Sequence, residues 1–226
     1  MDLFLGTNDL KGDKLLYWIT AVIVLINCSA AAGAYFAGSS MGDPSFFFQE
    51  RQSITFLSAL QLALSAFSAV IIYSIKRIIS HKSFSWTDIN NIWLIAFFVL
   101  GFATADEYFM IHEGIDGDIL TWFFGITDNP HLDGLTLGLY GVGAIALFLK
   151  YRKELLAYPR ALVLFSACGV FFCVSILLDL GSVDKVRIFL EESSKLIAVS
   201  FLFTGFLSIL WSVLAGIGPE EKTLPN

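Results

Sequence analysis

Two stretches of this sequence hold ionisable side chains where an apolar run would be expected to continue. One is ADEYFMIHEG at residues 105–114, which places Asp106, Glu107, His112 and Glu113 at the end of such a run. The other is FLEESSK at 189–195, which opens another run with Glu191, Glu192 and Lys195. His131 and Asp133 precede a third run, and Asp179 closes a fourth. Histidine together with carboxylates suits Zn, Mn or Fe, and carboxylates with water suit Ca. The candidate ligands of such a divalent ion are Asp106, His112, Glu113, His131, Asp179 and Glu191. An ion there would activate water against a lipid ester, amide or phosphate. Glu107 and Glu192 are the candidate catalytic groups, moving protons as general acid or base.

The spacing alone does not diagnose a metal site. HEG at 112–114 has no second histidine four residues on. Glu113, Asp116 and Asp118 form a short acidic ladder without the twelve-residue calcium-loop pattern. A bland reading competes for part of FLEESSK. Glu191 and Glu192 stand four and three residues before Lys195, and either spacing permits an ion pair on a helix surface. In the first turn of a helix the two acids would also be favoured by its dipole.

The elements that must position these groups follow from composition. Of 226 residues, 56% are hydrophobic and only 15% charged, against roughly 25% charged in soluble domains. Mean hydropathy is +0.73. A chain this apolar has lipid as its solvent. The 22 Phe and 5 Trp suit lipid-facing and interfacial surface. The expectation is an all-α, polytopic integral membrane protein, one transmembrane domain over 1–226. Six spans fall near 15–38, 53–75, 89–112, 134–150, 160–180 and 189–216. Helices follow because every backbone group at lipid depth must be satisfied within its own segment. The first run is too long for a cleaved signal and is read as a retained span. Between spans three and four, EGIDGDILTWFFGITDNPHLD at 113–133 reads as an interfacial or re-entrant segment with Trp122 at headgroup depth.

Basic residues orient the bundle. Lys11, Lys14, Lys76, Arg77, Lys82, Lys150, Arg152, Lys153, Arg160 and Lys222 fall on one side. Arg51, Lys185, Arg187 and Lys195 fall on the other. Both termini are therefore expected in the cytoplasm, with the chain in a plasma or inner membrane. The other side then collects the ends of spans three to six, and with them all the candidate site residues. An ionised carboxylate at lipid depth costs several kcal/mol unless paired, hydrated or metal-bound. Asp106 lies about 10 Å deeper than Glu113 along a helix axis, so it needs a partner.

Three functions fit that face. The first is a metal-dependent membrane hydrolase acting on a lipid or amphiphilic substrate. The second is cation or proton transport, since carboxylates at a membrane mouth concentrate cations and relay protons. The opposite halves of the spans read as dry, as in WLIAFFVLG at 93–101, which favours a one-sided site. The third is a structural ion-pair network, or the docking face of a membrane-protein partner, with Arg51, Lys185, Arg187 and Lys195 as counter-charges. No nucleic-acid partner is expected. Ser29, Gly33 and Ala37, and Gly134, Gly138 and Gly141, are expected to mark close helix contacts. Cys28, Cys168 and Cys173 read as small packing residues. Asn27, Ser58 and Gln61 read as interhelical hydrogen-bonding groups.

Overall fold

A computed structural model describes residues 9–49, 52–81, 85–109, 111, 134–179 and 184–216, without the side chains of 9–13, 134–137 and 179. The expected re-entrant segment lies outside these residues. Among the described residues the chain is all-α. Its helices are α1 (Asp9–Ser40), α2 (Ser53–Ser80), α3 (Asn91–Phe109), α4 (Gly134–Leu155), α5 (Pro159–Asp179) and α6 (Lys185–Leu214), with a short 3-10 turn at Phe46–Phe48. Five segments are long and apolar enough to cross a membrane: Lys14–Ser40, Phe46–Ser80, Asn91–Phe109, Pro159–Leu178 and Lys185–Leu214. The expected fourth span is a helix of 22 residues but is not among the five. Its last turns carry Lys150, Arg152, Lys153 and Glu154, and Tyr151 interrupts the helical backbone with φ −106° and ψ 19°.

Successive helices alternate in direction, as their contacts record. Tyr35 near the end of α1 meets Phe189 near the start of α6, with ring centroids 4.7 Å apart. Lys76 near the end of α2 reaches Glu154 near the end of α4. The bundle therefore has an acidic end, where α3 and α5 finish and α2, α4 and α6 start, and a basic end opposite. α6 is the central helix, packed on α5, α2 and α1, and α2 also packs on α3. α4 is attached mainly through α5.

In lipid, packing replaces the hydrophobic drive between helices, and small side chains allow close approach. The buried face of α2 is accordingly built from Ser58, Ala59, Ser65, Ala66, Ser68 and Ala69. Two of these hydroxyls return to their own helix: Ser65 donates to the Gln61 carbonyl at 2.7 Å and Ser68 to that of Leu64 at 2.8 Å. Ser200 and Thr204 do the same on α6, so these polar residues are buried with no need of water. At mid-depth the Asn27 amide donates to Gln61 Oε1 at 3.1 Å and to Ser200 Oγ at 2.5 Å, tying α1, α2 and α6 together. Toward the basic end follows an apolar block that includes Ala69, Ile72, Phe206, Ile209 and Val213.

Three of the glycines do not act where the sequence suggested. A side chain built at Gly33, Gly138 or Gly141 would meet nothing within 4 Å, so among the described residues these glycines mark no close contact. Close approach falls elsewhere: at Gly205 of α6 a Cβ would run into the ring of Phe165 on α5, and at Gly38 of α1 into the backbone of Asp43 and Pro44. Of the cysteines, Cys28 and Cys173 lie exposed on the bundle surface and do not fill a core, while Cys168 is half-buried.

Candidate functional site

The candidate site is assembled from the last turns of α3 and the second and third turns of α6. Asp106 is buried at 3% exposure and Glu107 is half-buried beside it. On α6, Glu192 and Lys195 share the buried face with Leu196, which packs among Ala31, Phe48 and Ile54 of the neighbouring elements. The i,i+3 spacing selects the partner: Lys195 Nζ donates to Glu192 Oε1 at 2.6 Å. Glu107 from α3 and Glu191 from α6 add their attraction to the same ammonium. Lys195 is thus the point on which carboxylates from two helices converge. The second carboxylate oxygen of Glu192 is buried and has no hydrogen-bond partner among the described residues, and the same holds for Ser193 Oγ.

One expectation about this helix changes. α6 starts at Lys185, with Asp184 at its N-cap and no acid in its first turn. Glu191 and Glu192 lie about 10 Å further along the axis, beyond the reach of the helix dipole, which fades within a turn. They are held by Lys195 and the packing of α6. The helix start is tied down separately. Lys185 Nζ lies 3.3 Å from Asp43, a carboxylate that also accepts the Ser45 hydroxyl at 2.7 Å and its N–H at 3.1 Å. The two Ser45 bonds, with Lys185 assisting, hold the Asp43 carboxyl below the ordinary carboxylate range.

Of the other candidate residues, His112, Glu113 and His131 lie outside the described residues, and so does the side chain of Asp179, the last residue of α5. Among the described residues no three His, Cys, Asp or Glu side chains come together as a metal-ligand set.

The structure also contains a charged cluster that the sequence reading missed. At the basic end, Lys76 of α2 donates to Glu154 of α4, and to the Tyr158 hydroxyl at 3.1 Å. The indole N–H of Trp93 on α3 donates to the same Glu154 oxygen at 2.9 Å. Trp93, Glu154 and Tyr158 are 1%, 6% and 5% exposed. The lysine also lies 5.5 Å from the centre of the Tyr158 ring, and that ring meets Trp93 edge-on. Burial pushes the Tyr158 phenol above its ordinary pKa, against an opposing pull from Lys76. So the basic half of the bundle is not dry throughout, and Lys76 is half-buried in an ion pair at the end of α2. The available signal was Glu154 itself, the single acid in an otherwise basic stretch, KYRKEL.

Fold and site together define a multi-pass membrane protein with an ion-paired carboxylate cluster near one end. A family model covers residues 15–209, and the chain belongs to that family, described as Domain of unknown function (DUF8692). No curated protein and no solved structure matches the chain.

Proposed function

We propose that the protein is a membrane-embedded hydrolase acting on a lipid or amphiphilic substrate at the acidic end, with Glu107 and Glu192 as the proton-transfer groups. The observation that carries this reading is the sharing of one buried ammonium, Lys195, by carboxylates from α3 and α6. A proton taken up by one carboxylate weakens the hold of Lys195 on it and strengthens its hold on the others. Such coupling suits a group that must accept and return a proton within one turnover. Asp106 and Glu191, with His112, Glu113, His131 and Asp179, are the residues that would hold a divalent ion such as Zn, Mn, Fe or Ca in this reading. In this reading both termini are cytoplasmic and the site faces the outer side of a plasma or inner membrane, which the distribution of basic residues supports.

The test is turnover of membrane lipid extract by the protein in nanodiscs, with released fatty acid and headgroup followed by mass spectrometry. Glu107→Gln and Glu192→Gln should each lower the rate about 100-fold or more. Chelation before assay separates a metal-dependent reaction from one run by the carboxylates alone. Absence of any released product over the protein-free control would end the hydrolase reading.

A second reading, proton or cation transport, draws on the buried hydroxyl and amide groups of Ser58, Gln61, Ser65, Ser200 and Thr204, which extend the polar interior inward from the site. Against it stands the apolar block around Ile72 and Ile209. Proteoliposomes carrying a pH-sensitive dye distinguish the two. A proton flux above that of empty vesicles, lost in Asp106→Asn, would favour transport.

A further inference from the structure

The burial of α4 changes abruptly at one residue. From Gly138 to Lys150 no residue is buried, and Leu139, Val142, Ile145 and Leu149 are 61%, 64%, 62% and 59% exposed. From Tyr151 onward the helix is anchored. Tyr151, Glu154 and Leu155 are buried, and Glu154 accepts from Lys76 of α2 and Trp93 of α3. The change falls where the backbone leaves helical geometry, at Tyr151 with φ −106° and ψ 19°. Before that point α4 meets its neighbours along a narrow stripe. Tyr140 touches Phe102 of α3 edge-on, with ring centroids 6.3 Å apart, and Leu147 packs at the margin of the apolar block. Gly138 and Gly141 are half-buried on that side, yet a Cβ at either would meet nothing within 4 Å, so α4 has room to close further. A membrane helix takes its tilt from packing against its neighbours, and a segment with few buried contacts moves at little cost. The foot of α4 is fixed and its shaft is not.

We propose that residues 134–150 of α4 form a lever that swings about Tyr151 and opens the seam between α3 and α4 to the bilayer at the acidic end. Hinges absorb their change of φ and ψ at a few residues at the ends of elements, and Tyr151 already stands outside helical geometry. The lever is about 25 Å long, so a swing of about 10° carries its far end about 4 Å. The seam runs along α3 toward the end that carries Asp106 and Glu107. That a substrate enters there rests on the hydrolase reading. The movement itself does not.

The experiment measures spin-label distances in nanodiscs, with the exposed Cys28 and Cys173 replaced by alanine. Phe56→Cys, on the exposed surface near the start of α2, carries the reference label. It is paired in turn with Leu139→Cys, Leu149→Cys and Phe109→Cys, all exposed positions. Leu139 lies about 18 Å from the hinge and Leu149 about 3 Å, so the distance distribution at Leu139 should be about 3 Å broader. Phe109, at the acidic end of α3, should be as narrow as Leu149. Equal breadth at Leu139 and Leu149 overturns the lever, and so does equal breadth at Leu139 and Phe109, which would mean that the whole acidic end moves. If Leu139→Cys does not fold, Val142→Cys must show the same excess at a shorter radius. A short bis-maleimide joining Phe102→Cys to Tyr140→Cys should lower turnover of bilayer lipid at least 10-fold and spare a water-soluble short-chain ester. Excess breadth with lipid turnover unchanged by the cross-link would keep the lever and remove the entry route. Excess breadth with no turnover in any form would keep the lever and end the hydrolase reading.

Discussion

The two ends of the bundle each set a lysine against a buried glutamate, and they differ in how the pair is completed. At the basic end Glu154 is the carboxylate that acts on Lys76, while Tyr158 and Trp93 take up further hydrogen-bonding capacity. Three helices and the α4–α5 connection are fastened by one cluster. At the acidic end Lys195 is shared by Glu192, Glu107 and Glu191, and one Glu192 oxygen keeps no partner among the described residues. The first arrangement is closed, as expected of a structural lock. The second leaves one buried carboxylate oxygen without a hydrogen bond among the described residues.

Removing one charge at each end is the sharpest way to break this comparison. Glu154→Gln leaves Lys76 without its carboxylate and should cost about 3 kcal/mol, by the precedent of buried pairs broken on one side. Thermal unfolding in nanodiscs reads the loss. The double replacement Lys76→Met with Glu154→Leu should recover most of it, because a buried pair exchanged for apolar groups of similar volume is often neutral. Glu192→Gln should cost only about 1 kcal/mol, since the amide oxygen can still accept from Lys195 and two carboxylates remain near it. Equal losses at the two ends would erase the distinction.

A smaller effect separates the ends by pH. Burial raises the Tyr158 phenol above the ordinary tyrosine range. The folded state therefore holds the proton more tightly than the unfolded state. The stabilisation is fully present below about pH 10 and is lost as pH rises through the folded value. Melting of the wild type should fall at the alkaline limit, and in Tyr158→Phe that part of the fall should be absent. The smallest effect belongs to the exposed Lys185–Asp43 pair. Lys185→Ala should move the melting temperature by no more than about 1 °C, and by less still at high salt.

The fold was legible because lipid leaves so few solutions. A run of about 20 apolar residues has to be a helix, and short connections force neighbours to alternate. The grouping of Glu107, Glu191, Glu192 and Lys195 at one end followed from that alternation. Which glutamate holds Lys195 was not legible, because i,i+3 and i,i+4 spacings are equally permissive until packing fixes the side chain. The start of α6 was also hidden, since KVRIF at 185–189 mixes charge with apolar residues and its helical pairing with Asp43 depends on a distant turn. The Lys76–Glu154 lock was least accessible. Its partners are 78 residues apart and neither spacing nor motif links them. The glycines misled for a related reason: Gly138 and Gly205 look alike in sequence, and only the placement of Phe165 distinguishes them.

The apolar block around Ala69, Ile72, Phe206, Ile209 and Val213 acts as an electrical insulator. A membrane potential drops across the layer that neither water nor mobile charge can enter, and moving one elementary charge through all of it exchanges about 2.3 kcal/mol per 100 mV. Lys195 lies on the acidic side of this block, whereas the Lys76 cluster shares Trp93 and Tyr158 with it, so a proton exchanged between Lys195 and the aqueous face at the acidic end crosses little of the field. Proton exchange at Lys195 should therefore be the same in polarised and depolarised vesicles.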